Sequence, residues 1–442
     1  MFRSLICIIL FSCSLNILAQ SQFQFSDSKS KATIPFKLVN NLIVIPVEVN
    51  GVNLNFLLDT GVEETILFSI DETSEIVFSE IEKIKMKGFG SKESFEGYKS
   101  TKNKIKIKNI EDNNHMIFLV LDQEINISSQ VGVPINGVIG YNFFKNHFIK
   151  IDYEANKIIV YKDVNKQIKK FKSYSKVPLI LHEGKPYIFS KSVFETTQLD
   201  TKLLIDTGNS DAIWLFKSTS KNIQVPKIVF EDYLGLGFSG DVYGLRARIN
   251  EFKINDFVFS KPLVAFPDTL ATKEIDNIYN RNGSIGAELM KRFTVAFDYQ
   301  NSMMYLKKNK YFEDDFNFNM SGIEVQHQGL QWIQEAFLDN TNKGSTNDLF
   351  DTNGNRISHQ LKYKFELKPV YIIANVRKNS PAELAGLKKD DVIVKINKKD
   401  GFDFNLQEIN DLLKSEEGRT IEFQVERNGK PLKIKFQLKS II

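Results

Sequence analysis

Two tripeptides in this 442-residue chain pair a carboxylate with a turn: Asp59-Thr60-Gly61 and Asp206-Thr207-Gly208. In both, an apolar run leads straight into the aspartate (Phe56-Leu57-Leu58 and Leu203-Leu204-Ile205), so a strand ends on an acid. One Asp-Thr-Gly alone is an ordinary β-turn sequence. Two that face each other have a chemistry of their own. Carboxylates held that close share one proton and titrate as a unit. The ionised member then acts as a general base on a water, and the protonated member polarises or protonates a carbonyl. Thr60 and Thr207 would bond across to the opposite backbone, and Gly61 and Gly208 would let N–H groups approach the carboxylates.

The elements around these turns repeat in order. The second tripeptide follows the first by 147 residues, and Gly88, Gly90 and Gly97 recur as Gly235, Gly237 and Gly244 at the same offset. Gly137-Val138-Ile139-Gly140 recurs as Gly283-Ser284-Ile285-Gly286, and Asp152-Tyr153 as Asp298-Tyr299, both at 146. Two copies of one fold are expected, over about residues 30–165 and 170–312. Each reads as all-β: Leu42–Val49, 54–58, 203–205 and 293–297 are rich in branched and large apolar residues, separated by Gly, Asn and Asp. Short helices are expected at 140–146 and 286–292.

The third region, 318–442, differs. Residues 339–355 are dense in Asn, Asp, Gly, Ser and Thr and read as a loop or inserted hairpin. Asp351-Thr352-Asn353-Gly354-Asn355 invites a calcium loop, but the glycine of the sixth position is missing and the twelfth is Lys362. Beyond it come a strand at 370–376, a helix at 380–387, a strand at Val392–Ile396, a helix at 406–415, and a hairpin of Thr420–Arg427 with 432–438 across Asn428-Gly429.

The two repeats resemble the lobes of the pepsin–retropepsin aspartic peptidases over about residues 40–310. The resemblance rests on Phe56-Leu57-Leu58-Asp59-Thr60-Gly61, Leu203-Leu204-Ile205-Asp206-Thr207-Gly208 and the apolar-apolar-Gly elements ending at Gly140 and Gly286. It implies a mainly β fold, with two retropepsin-like closed β-barrel lobes related by a pseudo-two-fold axis. It also implies Asp59 and Asp206 as the catalytic pair, supported by Thr60, Gly61, Thr207 and Gly208. Substrate-covering flaps would then fall at Gly88, Gly90, Phe95, Gly97 and Tyr98, and at Gly235, Gly237, Tyr243 and Gly244. Three residues depart from the family. Val62 lacks a hydroxyl for the outer oxygen of Asp59, Ser284 replaces an apolar residue, and Glu63 brings a further negative charge expected to raise the pair's pKa values. Ser380-Pro381-Ala382-Glu383-Leu384-Ala385-Gly386-Leu387-Lys388-Lys389-Asp390-Asp391-Val392-Ile393 resembles the bacterial PDZ signature. That implies an α+β module in which a peptide would add as a strand beside 370–376.

The function expected is therefore hydrolysis of peptide bonds, with a polypeptide substrate and a partner protein or peptide C-terminus at the PDZ-like module. The alternative is a peptidase scaffold silenced by Val62 and Glu63 that only binds. No cofactor or metal is expected: His115, His147, His182, His327 and His359 share no ligand spacing. A formal charge of +4 gives no reason to expect nucleic acid. Residues 1–19 read as a signal peptide, with Arg3, an apolar stretch at 5–11 and a cut after Ala19, which makes the protein exported. Lipid attachment at Cys13 is the other possibility, and the one route to a membrane. Both cysteines, Cys7 and Cys13, lie in this segment.

Overall fold

A computed structural model describes residues 22–69, 75–86, 95–120, 126–163, 167–237, 240–272, 280–338 and 361–442. The expected signal segment, Gly88, Gly90 and the 339–355 loop lie outside these residues.

The chain is mainly β, and both repeats build the same unit around their Asp-Thr-Gly turn. In the first, Leu42–Val49 and Val52–Leu58 form a hairpin over Asn50 (φ 46°) and Gly51 (φ 92°). Two positive-φ residues in a two-residue loop match the twist of the strands, which is why Asn-Gly stands there. Val52–Leu58 delivers Asp59, the chain turns, and Thr65–Leu67 leaves. About seventy residues later Gly137–Ile139 returns between the two, parallel to Phe56–Leu57–Leu58 and antiparallel to Ile66–Leu67. Gln198–Asp206, Ile213–Leu215 and Gly283–Gly286 repeat the arrangement. Parallel neighbours need a long crossover, and here each crossover is the rest of the lobe. The glycines make room for the returning strand. A Cβ on Gly140 would lie 2.1 Å from the Val62 carbonyl, and one on Gly286 2.2 Å from that of Asp211.

In the first lobe, pairings run from Ile110–Leu119 through Thr65–Leu67, Gly137–Ile139, Val52–Leu58, Leu42–Val49 and Phe95–Ile107, and return to Ile110–Leu119. In the second, the order among the described strands is a path from Phe230–Gly237 to Phe257–Ser260. A third sheet joins the lobes. Phe148–Asp152 pairs antiparallel with Phe293–Asp298 at its centre, Ile149 opposite Phe297 and Ile151 opposite Val295. Each is flanked by its own repeat's strands, so three strands come from either side of a pseudo-two-fold axis. The fully buried Ile149, Ile151, Val295 and Phe297 show that this seam is core rather than hinge. The helices at Tyr141–Phe144 and Ala287–Met290 sit where the repeat placed them.

The C-terminal sheet has the order Ile323–Leu338, Leu361–Val376, Val392–Ile396, Thr420–Arg427, Lys430–Gln437. Ser380 caps the helix Pro381–Leu384, and Asn405 with Glu408 forms a capping box on Leu406–Leu413. Asp391, fully buried, is held bidentately by Arg427 at 2.6 and 2.7 Å. One expectation is corrected here. The 370–376 segment lies inside Leu361–Val376, with Ile323–Leu338 along one edge and Tyr371–Ile372 paired to 392–393 on the other, so no peptide can add beside it. The partner strand lies before the loop and ends 42 residues ahead of Ser380, where the PDZ-like signature begins, so the signature does not reveal it. Its outer part and its mate expose Leu330, Trp332, Tyr363, Phe365 and Leu367 to solvent. No described helix is long and apolar enough to cross a membrane.

Candidate active site

The two turns meet at the pseudo-two-fold axis and are stitched together by their threonines. The Thr60 hydroxyl donates to the Ile205 carbonyl at 2.6 Å, and the Thr207 hydroxyl donates to that of Leu58 at 2.8 Å. Each hydroxyl also accepts the opposite threonine's N–H, at 3.1 and 3.2 Å. Only a hydroxyl can donate and accept at one buried point, which explains threonine at both positions. Both are 1% exposed, so losing either would strand polar backbone groups in the interior.

This clamp brings the carboxyl groups of Asp59 and Asp206 into hydrogen-bonding contact. Asp59 Oδ1 accepts the N–H of Gly61 at 2.7 Å and of Gly208 at 3.2 Å. The glycines are required by space: a Cβ on Gly208 would stand 2.2 Å from Asp59 Oδ2, and one on Gly61 2.9 Å from Asp206 Oδ1. Burial, reinforced by the charge of Asp206, pushes the Asp59 carboxyl up to about 7. Burial raises Asp206 too, but the Arg281 guanidinium, 3.9 Å from its Oδ2, pulls against that rise. The pair can therefore hold one proton and one charge across a span of pH below neutrality.

The charged side chain paired with the dyad is a positive one, Arg281. Glu63 is only partly buried, and the groups that act on it are Glu64, Lys185, Glu183 and Lys145. Its neighbour Val62 offers its carbonyl to the N–H of Tyr141 at 3.1 Å. In the second lobe Asn209 donates to the buried Ser284 hydroxyl at 3.4 Å, so the serine in place of an apolar residue has a partner. Arg281 escaped attention because it sits just before the Gly-Ser-Ile-Gly element. Aligning the repeats would have exposed it, since the equivalent residue at the same offset of 146 is Ile135.

The expected flap residues have mixed positions. The strands flanking these positions pair antiparallel, Ser79–Met86 with Phe95–Ile107 and Phe230–Gly237 with Gly240–Arg248. Phe95 opens its strand, and Tyr98 packs against the core of lobe one. Gly97 and Gly244 serve sheet packing: a Cβ would lie 2.7 Å from Met86 Sδ and 2.4 Å from the Phe266 carbonyl, respectively. Gly235, at φ 137°, sits at a bulge, and Gly237 ends its strand. Tyr243 stacks edge-on with Tyr233 and lines a cavity of about 1570 Å³ with Arg377, Pro381 and Leu384 of the C-terminal module.

That module is fastened to both lobes. Arg246 bridges Asp211, beyond the second turn, to Asp232 on the hairpin at 2.9 and 2.7 Å, and Arg377 reaches Asp232 at 3.3 Å. On the lobe-one side, the Asn40 N–H donates to Gln407 at 2.5 Å and the Asn410 amide donates to Asn40 at 3.2 Å. The Ile127–Val131 helix packs on Ile323–Leu338, and Gly132 is pressed against Leu406. A cavity of about 190 Å³ at this junction is lined by Asn41, Val131 and Tyr233 of the lobes and by Glu324, Gln326 and Asn410 of the module.

Comparison with known proteins agrees with this architecture. Residues 45–143 match the aspartyl protease family, and residues 372–427 match the PDZ domain. No curated protein matches the sequence. Among solved structures, an aspartic proteinase from Irpex lacteus superposes with a TM-score of 0.40 at 12% identity, over 65% of this chain and all of that one. By these matches the chain carries an aspartyl protease domain over residues 45–143 and a PDZ domain over residues 372–427.

Proposed function

We propose that the protein hydrolyses peptide bonds, using a water placed between Asp59 and Asp206. The observation that carries this reading is the mutual contact of two carboxyl groups, Asp59 buried and Asp206 partly so, locked by reciprocal threonine bonds. In the attack, the water oxygen bonds to the scissile carbonyl carbon and its proton passes to the ionised carboxylate. The protonated carboxyl gives its proton to the carbonyl oxygen. Collapse of the tetrahedral intermediate breaks the C–N bond, and the departing nitrogen takes up a proton from the pair.

We further propose export, with residues 1–19 removed, and a role for the PDZ domain in binding a partner or substrate chain. The strand Ile323–Leu338 and the helix Leu406–Leu413 contact lobe one, so a peptide binding between them would have to displace Asn40 and the Ile127–Val131 helix. The test of the activity is direct. Purified protein is incubated with a peptide library between pH 3 and 8, and the products are read by mass spectrometry beside Asp206→Asn. Defined cuts made only by the wild type are expected; intact peptides across the whole range would overturn the reading.

A further inference from the structure

Arg281 stands in a position that apolar packing alone would fill. Its counterpart in the first lobe, Ile135, is fully buried in a cluster with Leu57, Ile66 and Val138. In the second lobe an arginine side chain, 10% exposed, is fixed at three points. Its Nε donates to the Gly283 carbonyl at 2.9 Å, its guanidinium lies over the Phe216 ring at 5.1 Å, and its Nη2 stands 3.9 Å from Asp206 Oδ2. Burying an arginine is costly without a partner, and here the carboxylate it faces belongs to the pair. Among the described residues Asp59 has no such ion pair. Asp59 instead receives two N–H groups on Oδ1, an arrangement that leaves Oδ2 able to carry a proton while Oδ1 still accepts.

We propose that Arg281 is a positioning residue that makes the two acids unequal, holding Asp206 as the ionised, water-activating member and leaving the shared proton on Asp59. The inference rests on the peptidase reading above and deepens it by assigning the base and the acid. The other titratable groups acting on the pair are Tyr187, near Arg281 and Asp206, and Tyr299, near Asp59. Burial pushes both phenols upward, so they stay neutral through the acid and neutral range. Glu63, Glu183 and Lys185 interact among themselves, and Arg281 is the cation that bears on Asp206. At low pH both acids are protonated and no base exists. By favouring charge on Asp206, Arg281 extends the singly ionised state toward acid.

The experiment compares wild type with Arg281→Gln, which keeps a donor for the Gly283 carbonyl without the charge, and with Arg281→Lys. Two readouts are taken: the pH profile of kcat/KM on a cleaved peptide, and the titration of aspartate carboxyl groups by NMR with 13Cγ-labelled protein. Asp59→Asn and Asp206→Asn assign the signals. In Arg281→Gln the acid limb and the lower-titrating signal should move up by about one pH unit or more, while KM changes little. Arg281→Lys should stay near wild type. An unmoved acid limb and an unmoved carboxyl signal in a folded Arg281→Gln would overturn the proposal, as would loss of activity equal at every pH, which marks a structural role only. If Arg281→Gln fails to fold, the assignment in wild type decides: the lower-titrating signal must be the one removed by Asp206→Asn. A wild type that cuts nothing sinks the peptidase reading, yet the titration still decides whether Arg281 governs Asp206.

Discussion

The two lobes share a fold and differ in where they put charge. Around the first turn, Val62, Glu63 and Glu64 leave the acids to the partly exposed shoulder, and Ile135 fills the position behind them. Around the second, the same places hold Asn209, Ser210, Asp211 and Arg281, and Asp211 enters a buried network with Arg246 and Asp232. The residue equivalent to Arg246 at the 147 offset is Lys99, whose bridge to Glu82 is 4.0 Å long with side chains 35% and 71% exposed. Duplication kept the turn and its glycines because backbone geometry demands them. Everything one layer out was free to diverge, and the second lobe took on the charge beside the pair and the ionic part of the connection to the PDZ domain.

That contrast predicts unequal responses to matched changes. Arg246→Met should destabilise the protein by up to about 3–5 kcal/mol in urea unfolding, because it removes the cation shared by Asp211 and Asp232 and leaves them only the Trp214 indole and Arg377, whereas Lys99→Met should stay within about 0.5 kcal/mol. Equal losses would erase the distinction between the lobes.

Acidity comes next in size. The folded pKa of Asp59, about 7, lies above its unfolded value of 3.8. The folded state therefore binds the proton more tightly; the associated stability is present below about pH 4 and is lost as pH rises through 7. The loss is at most about 4 kcal/mol. Asp59→Asn should flatten this part of the stability curve relative to wild type, measured by denaturant midpoints from pH 4 to 7. Glu324, raised to about 7 by burial and Asp232, adds a decline of the same sign to both proteins and cancels in the difference.

Smaller still is the difference between the glycines. Gly208→Ala forces a methyl group to 2.2 Å from Asp59 Oδ2, and Gly61→Ala to 2.9 Å from Asp206 Oδ1. Displacing the acids should cost about 10²-fold or more in kcat/KM for Gly208→Ala, and distinctly less for Gly61→Ala. The smallest effect is expected for Glu63→Gln, which should leave both limbs of the pH profile in place and change stability by under about 0.5 kcal/mol. A shift of either limb would restore Glu63 as a neighbour of the pair.

Much of the fold was readable because its landmarks are backbone requirements. Glycines at 137, 140, 283 and 286, apolar runs before each aspartate, and Asn50-Gly51 all answer to sterics that a sequence displays. The helices expected at 380–387 and 406–415 in the C-terminal module are present, started by the Ser380 cap and by the Asn405–Glu408 capping box. What stayed hidden depends on long-range placement. Arg281 looks like a loop residue until the repeat alignment puts it behind Asp206. The Ile323–Leu338 strand joins the PDZ sheet across a stretch that separates it from its signature. Glu63 is four residues from Asp59 in sequence, yet its side chain interacts with Lys185 and Glu183 of the other lobe.

The central claim is that Asp59 and Asp206 act as one unit. The most direct measurement is kcat/KM on one cleaved peptide for Asp59→Asn, Asp206→Asn and the double variant, each checked for native folding. A shared-proton pair loses its function when either member is removed, so each single change should reduce cleavage by roughly 10⁴-fold or more, and the double variant should be no worse than the singles. Retained cleavage in either single variant, or losses that multiply in the double, would contradict the account.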